Sequence, residues 1–138
     1  MDIQIFTDGG SRGNPGPAAI GVVVRSADEA TLFEVGKTIG VGTNNEAEYQ
    51  AFLLSLEWLK SQTTVSQITS VTWKLDSKLV VEQLNKKWKI KEPRMLQYAQ
   101  NCWKDLSALT HKYVITHIPR ELNSQADALA NQALDTQV

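Results

Sequence analysis

Apolar and polar positions change period several times along this chain. Residues 2–8, 17–26 and about 30–38 carry apolar, often β-branched side chains in short runs, the last two separated by the turn-like Ser26-Ala27-Asp28. This predicts an antiparallel meander of three strands. From Thr43 to Gln62 the spacing turns helical, with Ala47, Ala51, Leu54 and Trp58 in one series and Phe52, Leu56 and Leu59 in another. Thr43 and Glu46 form a capping-box pair that sets the helix start at Thr43 or Asn44. Residues 67–76, "QITSVTWKLD", alternate again at Val71, Trp73 and Leu75 and predict a fourth strand. Helices are predicted over 77 to about 86 and about 94–110, Pro93 marking the later start; "YVITHI" reads as a fifth strand and 123 to about 134 as a last helix. The order β-β-β-α-β-α-α-β-α describes an α/β domain. A right-handed crossover through the long helix lays strand four parallel to strand one. Asp8 and Asp76 then end neighbouring strands, at the sheet edge where open α/β folds bind ligands.

Composition narrows this picture. At 138 residues the chain suits one domain, 1–138, with no repeat, low-complexity tract or long linker. A net charge of -1 provides no broad cationic field, so any polyanion must be gripped locally. The single cysteine, Cys102, excludes an internal disulfide and reads as a buried helix residue. There is no signal-like leader and no apolar run of roughly 18 residues, so a cytoplasmic protein without membrane contact is expected.

The stretch "IQIFTDGGSRGNPGPAAIGVVV" (3–24) raises the question of chemistry. A glycine-rich loop after a strand suggests phosphate binding, yet no Gly-Lys-Ser/Thr ending opens a helix here, and no helix follows the third glycine. The loop joins two strands, with Asp8 at the end of the first. Glu48 lies on the helix face of Ala51, Phe52, Ser55 and Leu59, where a carboxylate is unexpected unless it serves the helix dipole. Asp76 reads either as a site acid or as the N-cap of the next helix. Asp127 competes with a capping-box explanation, Ser124-Gln125-Ala126-Asp127.

Together these acids come from two strand ends and two helix starts, and the topology brings them to one edge. Two carboxylates about 4 Å apart repel by about 4 kcal/mol at an effective dielectric near 20. That is a large fraction of a domain's stability of roughly 5–15 kcal/mol. A divalent cation removes the difficulty. All-oxygen ligation points to Mg²⁺ or Mn²⁺, and a two-metal phosphodiester hydrolase is the natural chemistry.

The chain resembles type 1 ribonuclease H over about residues 2–134, through "FTDGGSRGNPGP", "TNNEAEY", "LDSKLVVEQL" and "HIPRELNSQADALANQAL" in the family's order. The resemblance implies a ribonuclease H-like fold, a mixed five-stranded sheet with flanking helices. It also implies endonucleolytic cleavage of the RNA strand of RNA/DNA hybrids and an Asp-Glu-Asp-Asp site for two Mg²⁺ ions, Mn²⁺ being a possible substitute. By that resemblance Asp8 bridges two ions, Glu48 and Asp76 complete one, and Asp127 holds the ion that activates water. The same match casts Asn14, Thr43, Asn44 and Asn45 as contacts to the hybrid, against ordinary turn and capping roles, and gives His117 a supporting role in protonation or product release. A long cationic protrusion found in many bacterial members is reduced here to "NKKWKIKEPR" (85–94). Lys86, Lys87, Lys89, Lys91 and Arg94 around Trp88 form either a phosphate-contacting patch or a solvated loop with a core tryptophan. The rival functions are a non-catalytic hybrid-binding module and a related nuclease acting on duplex RNA or DNA junctions. A monomer with no obligate protein partner is expected.

Overall fold

A computed structural model describes residues 1–62 and 67–136. The elements follow the predicted order: β1 (Asp2–Ser11), β2 (Gly16–Ser26), β3 (Thr31–Gly42), α1 (Asn44–Ser61), β4 (Ser70–Leu75), α2 (Lys78–Leu84), α3 (Pro93–Ser107), β5 (Lys112–His117) and α4 (Ser124–Asp135), with a short 3₁₀ turn at Arg120–Leu122 before α4. The five strands make one sheet in the order β3-β2-β1-β4-β5. β1, β2 and β3 pair antiparallel, while β4 runs parallel to both β1 and β5. This is the mixed α/β sheet that the element order implies.

Side-chain alternation in β1 sends Ile3 and Ile5 into the main core with Phe52, Leu56 and Trp73, whereas Phe6 joins Val23, Ile118 and Ala126. Helix α1 therefore covers one face and α4 the other. The α4 side depends on two glycines: a Cβ on Gly21 would lie 2.0 Å from the Ala126 carbonyl oxygen, and one on Gly36 would lie 2.2 Å from that of Leu129. In the main core the Trp73 and Phe52 ring centroids are 4.9 Å apart. The Trp73 Nε1 donates to Ser55 Oγ at 2.9 Å, which explains a hydroxyl on the buried face of α1. Cys102 is fully buried, and burial, reinforced by Asp105, pushes its thiol up to about 12.

Some boundaries move. β1 does not end at Asp8: it runs on to Ser11 because Asp8, Gly9, Gly10 and Ser11 pair with Gly21, Ile20, Ala19 and Ala18. What reads as a long glycine-rich loop is a hairpin tip at residues 12–15, and only Gly13 in it has positive φ, 86°. β3 extends to Gly42 because its pairing with β2 continues past an irregularity at Ala18/Ala19, opposite Gly40 at φ 82°. α2 stops at Leu84, two residues short of the expected end, and Lys86 takes a left-handed φ of 62°. β4 begins at Ser70 rather than Gln67, and α3 ends at Ser107 rather than 110.

Candidate active site

The register of the sheet creates the site. The parallel ladder between β1 and β4 runs from Asp2↔Ser70 to Thr7↔Leu75 and stops there. Asp8, still within β1, and Asp76, the first residue after β4, follow the last pair of that ladder, so the two acids come next to each other at its end. Asp8 is at a strand pairing boundary rather than at a strand end.

Helix α1 brings the third acid. Thr43 caps it: its Oγ1 accepts from Glu46 N at 3.1 Å, and Glu46 Oε1 accepts from Thr43 N at 3.3 Å, completing the capping box. Glu48, one turn in, points at the sheet and accepts a short hydrogen bond from Gly9 N, which also lies 3.0 Å from Asp8 Oδ1. Asp8, Glu48 and Asp76 each offer an oxygen within 4.8 Å of the others'. Asp127, in the first turn of α4, lies outside that tight group but lines the same cavity of about 350 Å³.

The alternative explanations of Asp76 and Asp127 fail on geometry. Ser77, not Asp76, caps α2, its Oγ accepting from Val80 N at 3.3 Å. α4 begins at Ser124 with Asn123 in the cap position, so the Ser124–Asp127 capping box does not form. Asn123 makes no capping bond either: its Nδ2 donates to Thr7 O and to Asp76 Oδ2, each at 2.9 Å. The sequence gives no sign of this role, since Asn123 reads there as a helix-start asparagine.

Crowding of acids out of water shifts their protonation. Burial, with the charges of Asp76 and Asp127, pushes Asp8 up to about 7, even though the hydrogen bond from Glu48 acts in the opposite direction. Burial raises Glu48 well above the ordinary carboxylate range, and Asp8 adds to the effect. An oxygen-only donor set, crowded and withdrawn from water so that its negative charge is disfavoured, suits a hard divalent cation.

The remaining residues named from sequence occupy varied positions. Asn44 and Asn45 are exposed and line the cavity. Asn44 Oδ1 accepts from Ser11 N at 2.8 Å, and Asn14 Oδ1 accepts from Asn44 N at 2.9 Å, so these asparagines tie the hairpin tip to the start of α1. Thr43 spends its hydroxyl on the cap. His117, opposite Leu75 at the end of β5, is exposed; among the described residues the cavity wall includes Arg120 and Arg12 but not His117. Arg12 is paired with Asp135 at 2.6 Å. Lys86, Lys87 and Lys89 are exposed between α2 and α3, and the Lys86 Nζ lies 5.0 Å from the centroid of the Trp103 ring. Trp88 is 44% exposed, so it is not a core tryptophan. Arg94 leaves the basic group by pairing with the buried Glu46 at 2.7 Å.

Comparison with known proteins gives one consistent answer. A family model described as "Reverse transcriptase-like" matches residues 6–133. Ribonuclease HI of Halobacterium salinarum is 40% identical over 133 residues, which is 96% of this chain and 64% of that protein. The chain thus spans just under two thirds of that relative, and 36% of the length of three mycobacterial ones at 42% identity. The crystal structure of RNase H1 from H. salinarum superposes with a TM-score of 0.89 at 39% identity, covering 99% of this chain and 100% of that one. LC11-RNase H1, solved in complex with RNA/DNA hybrid, superposes with a TM-score of 0.91 at 41% identity, covering 96% of each chain. With the fold, the register and the clustered acids all in agreement, the chain belongs to the ribonuclease H family, as a compact type 1 domain.

Proposed function

We propose that this chain hydrolyses the RNA strand of RNA/DNA hybrids, cutting internally to leave 5′-phosphate and 3′-hydroxyl ends, with Mg²⁺ as its cation and Mn²⁺ as a substitute. One observation carries the reading: three acids from β1, α1 and β4 place oxygens within 4.8 Å of each other beside a solvent-open cavity. Asp8, Glu48, Asp76 and Asp127 would hold the cations. Bound there, divalent ions lower the pKa of an attacking water and neutralise charge on the departing 3′-oxygen.

The chain's own residues supply orientation. Gly9 N–H fixes Glu48 and touches Asp8, so a single backbone donor sets the spacing of two acids. Asn44 and Asn45 offer small amides on the cavity wall, suited to phosphate, 2′-hydroxyl and base-edge contacts that demand no sequence. Arg120 adds a cation to a wall otherwise rich in acids, where a polyanionic backbone must approach. A supporting role for His117 requires movement of substrate or side chain towards it.

A labelled-substrate panel tests the reading: RNA/DNA hybrid, duplex RNA, duplex DNA and single strands, with and without Mg²⁺. Cleavage of hybrid alone, dependent on Mg²⁺, is the expected result. Tight hybrid binding without cleavage would instead identify a binding module, and cleavage of duplex RNA or DNA junctions a different nuclease.

The basic segment gives a second prediction. Seven residues of α2, about 10 Å of helix, separate it from Asp76, close enough for one duplex to span both. Changing Lys86, Lys87, Lys89 and Lys91 together to Ala should weaken hybrid binding and flatten its salt dependence, by roughly 0.7–0.9 in log–log slope for each phosphate these lysines neutralise. An unchanged slope would remove this surface from the substrate path.

Proton linkage gives a third. Asp8 and Glu48 have folded-state pKa values raised above their unfolded ones, so the stability they contribute is present at low pH and lost as pH rises, for Asp8 between about 4 and about 7. In EDTA the melting temperature should fall from pH 5 to pH 8, and Mg²⁺ should reverse the fall at pH 8 more than at pH 5. Melts that are flat in pH and indifferent to Mg²⁺ would contradict the electrostatic account of the site.

A further inference from the structure

Asn123 stands at the cap position of α4 and caps nothing. Asparagine is among the preferred N-cap residues because its side-chain oxygen can accept from the first turn. Here the side chain is 1% exposed and turned elsewhere. Both hydrogens of its Nδ2 are committed, one to Thr7 O and one to Asp76 Oδ2, each at 2.9 Å. Its Oδ1 is buried and accepts no hydrogen bond among the described residues. A buried acceptor left in that condition is destabilising, and exceptions of this kind call for an explanation.

The geometry explains it. Thr7 O and Asp76 Oδ2 are both acceptors, so the amide must present its NH₂ to them, which fixes the orientation of the whole side chain. Thr7 is the last residue of β1 in register with β4, immediately before Asp8, and Asp76 follows Leu75, its partner in that register. One amide therefore ties the backbone beside Asp8 to the carboxylate of Asp76, from a residue 116 positions away from Thr7 and 47 from Asp76. Without that link Asp76, half-buried and next to two other acids, would rotate away from them to relieve repulsion.

We infer that Asn123 is a positioning residue for the cation site: by binding Oδ2 it fixes the orientation of the Asp76 carboxylate, which offers an oxygen within 4.8 Å of those of Asp8 and Glu48. The inference rests on the reading of the three acids as an ion site. Groups that fix a ligating side chain from behind typically change metal affinity or activity by 10–100-fold when removed. They do so without touching substrate, so binding of the hybrid is spared.

Asn123→Ser tests this. Serine is an equally good N-cap and preserves the start of α4, but its hydroxyl is too short to bridge Thr7 O and Asp76. Mn²⁺ affinity of the folded, hybrid-free chain is measured by calorimetry, alongside kcat and KM for hybrid in Mg²⁺ and a thermal melt. The expected result is a Mn²⁺ Kd raised about tenfold, with kcat lowered by a similar factor and KM within twofold of the parent. Asn123→Ala is read identically, so the question survives if either variant fails to fold. A Mn²⁺ Kd within twofold of the parent in a folded variant overturns the inference. Asp8→Asn, run in parallel, separates the two claims. If it abolishes Mn²⁺ uptake while the Asn123 variants bind normally, only the role of Asn123 falls; if it leaves uptake unchanged, the ion site falls with it.

Discussion

Asp8→Asn should reduce hybrid hydrolysis in Mg²⁺ by about a thousandfold or more, while raising the melting temperature of the metal-free protein at pH 8. The activity loss follows from position: Asp8 belongs to the group of three acids whose oxygens approach within 4.8 Å, and it senses the charges of both Asp76 and Asp127. Loss of preorganised charge stabilisation at a reacting centre typically costs a factor of 10²–10³ per group, and Asp8 adjoins the other acids of the proposed cation site. The stability gain follows from the same geometry. A neutral amide keeps the shape of the carboxylate and removes repulsion of the order of a few kcal/mol at 4 Å. For a domain of this size each kcal/mol is worth roughly 3–5 °C. Activity assays and melts in EDTA measure both effects on one preparation. Turnover equal to the parent would end the assignment, whatever happened to stability.

The opposite directions of these two effects explain why part of the site is visible in the sequence. Glu48 stands out because helical periodicity requires an apolar residue on that face, and a carboxylate there needs a reason other than packing. Asp8 and Asp76 are marked by register: a strand, a long helix and another strand impose a parallel pairing, and residues at matching levels must end together. The fold is legible for the same cause, since each element announces its period locally. Asp127 is ambiguous by itself, because Ser124 and Asp127 are spaced as a capping box; it gains weight from its convergence with the other three acids on one sheet edge and from the family motif.

What escapes the sequence depends on where side chains turn. Asn123, Arg120 and the Arg94–Glu46 pair are ordinary polar residues whose partners lie on other elements. Arg94 looks like one more cation in a basic run, yet the buried carboxylate of Glu46 claims it. Glu46 in turn serves the α1 cap with its other oxygen. His117 and Arg120 are three residues apart, and the turn that follows β5 decides which of them reaches the cavity wall. No local pattern encodes that turn's direction, because it is set by the docking of α4 on the sheet.

Gly9→Ala carries the second large effect, and it reassigns the meaning of "TDGGS". A glycine pair after an aspartate invites a phosphate-loop interpretation, yet Gly9 lies in a paired strand, opposite Ile20, where its conformation needs no glycine. Its requirement is space. A Cβ there would sit 2.3 Å from the carbonyl carbon of Ala47 and 2.7 Å from Glu48 N, all backbone of α1. No rotamer change can relieve a clash with a helix backbone, so α1 must move away from β1. Overpacking of this kind costs about 1–3 kcal/mol and sometimes more, a large share of the roughly 5–15 kcal/mol available. The displacement also breaks the hydrogen bond from Gly9 N to Glu48, which spaces Glu48 from Asp8. The expected outcome is a melting temperature lowered by about 10 °C, together with a kcat loss of about a hundredfold in the fraction that remains folded. Gly10→Ala is the matched control, because a Cβ at Gly10 meets nothing nearer than Asn44 Oδ1 at 3.7 Å. If Gly9→Ala melts and turns over like Gly10→Ala, the close seating of α1 on β1 is not what assembles the acids.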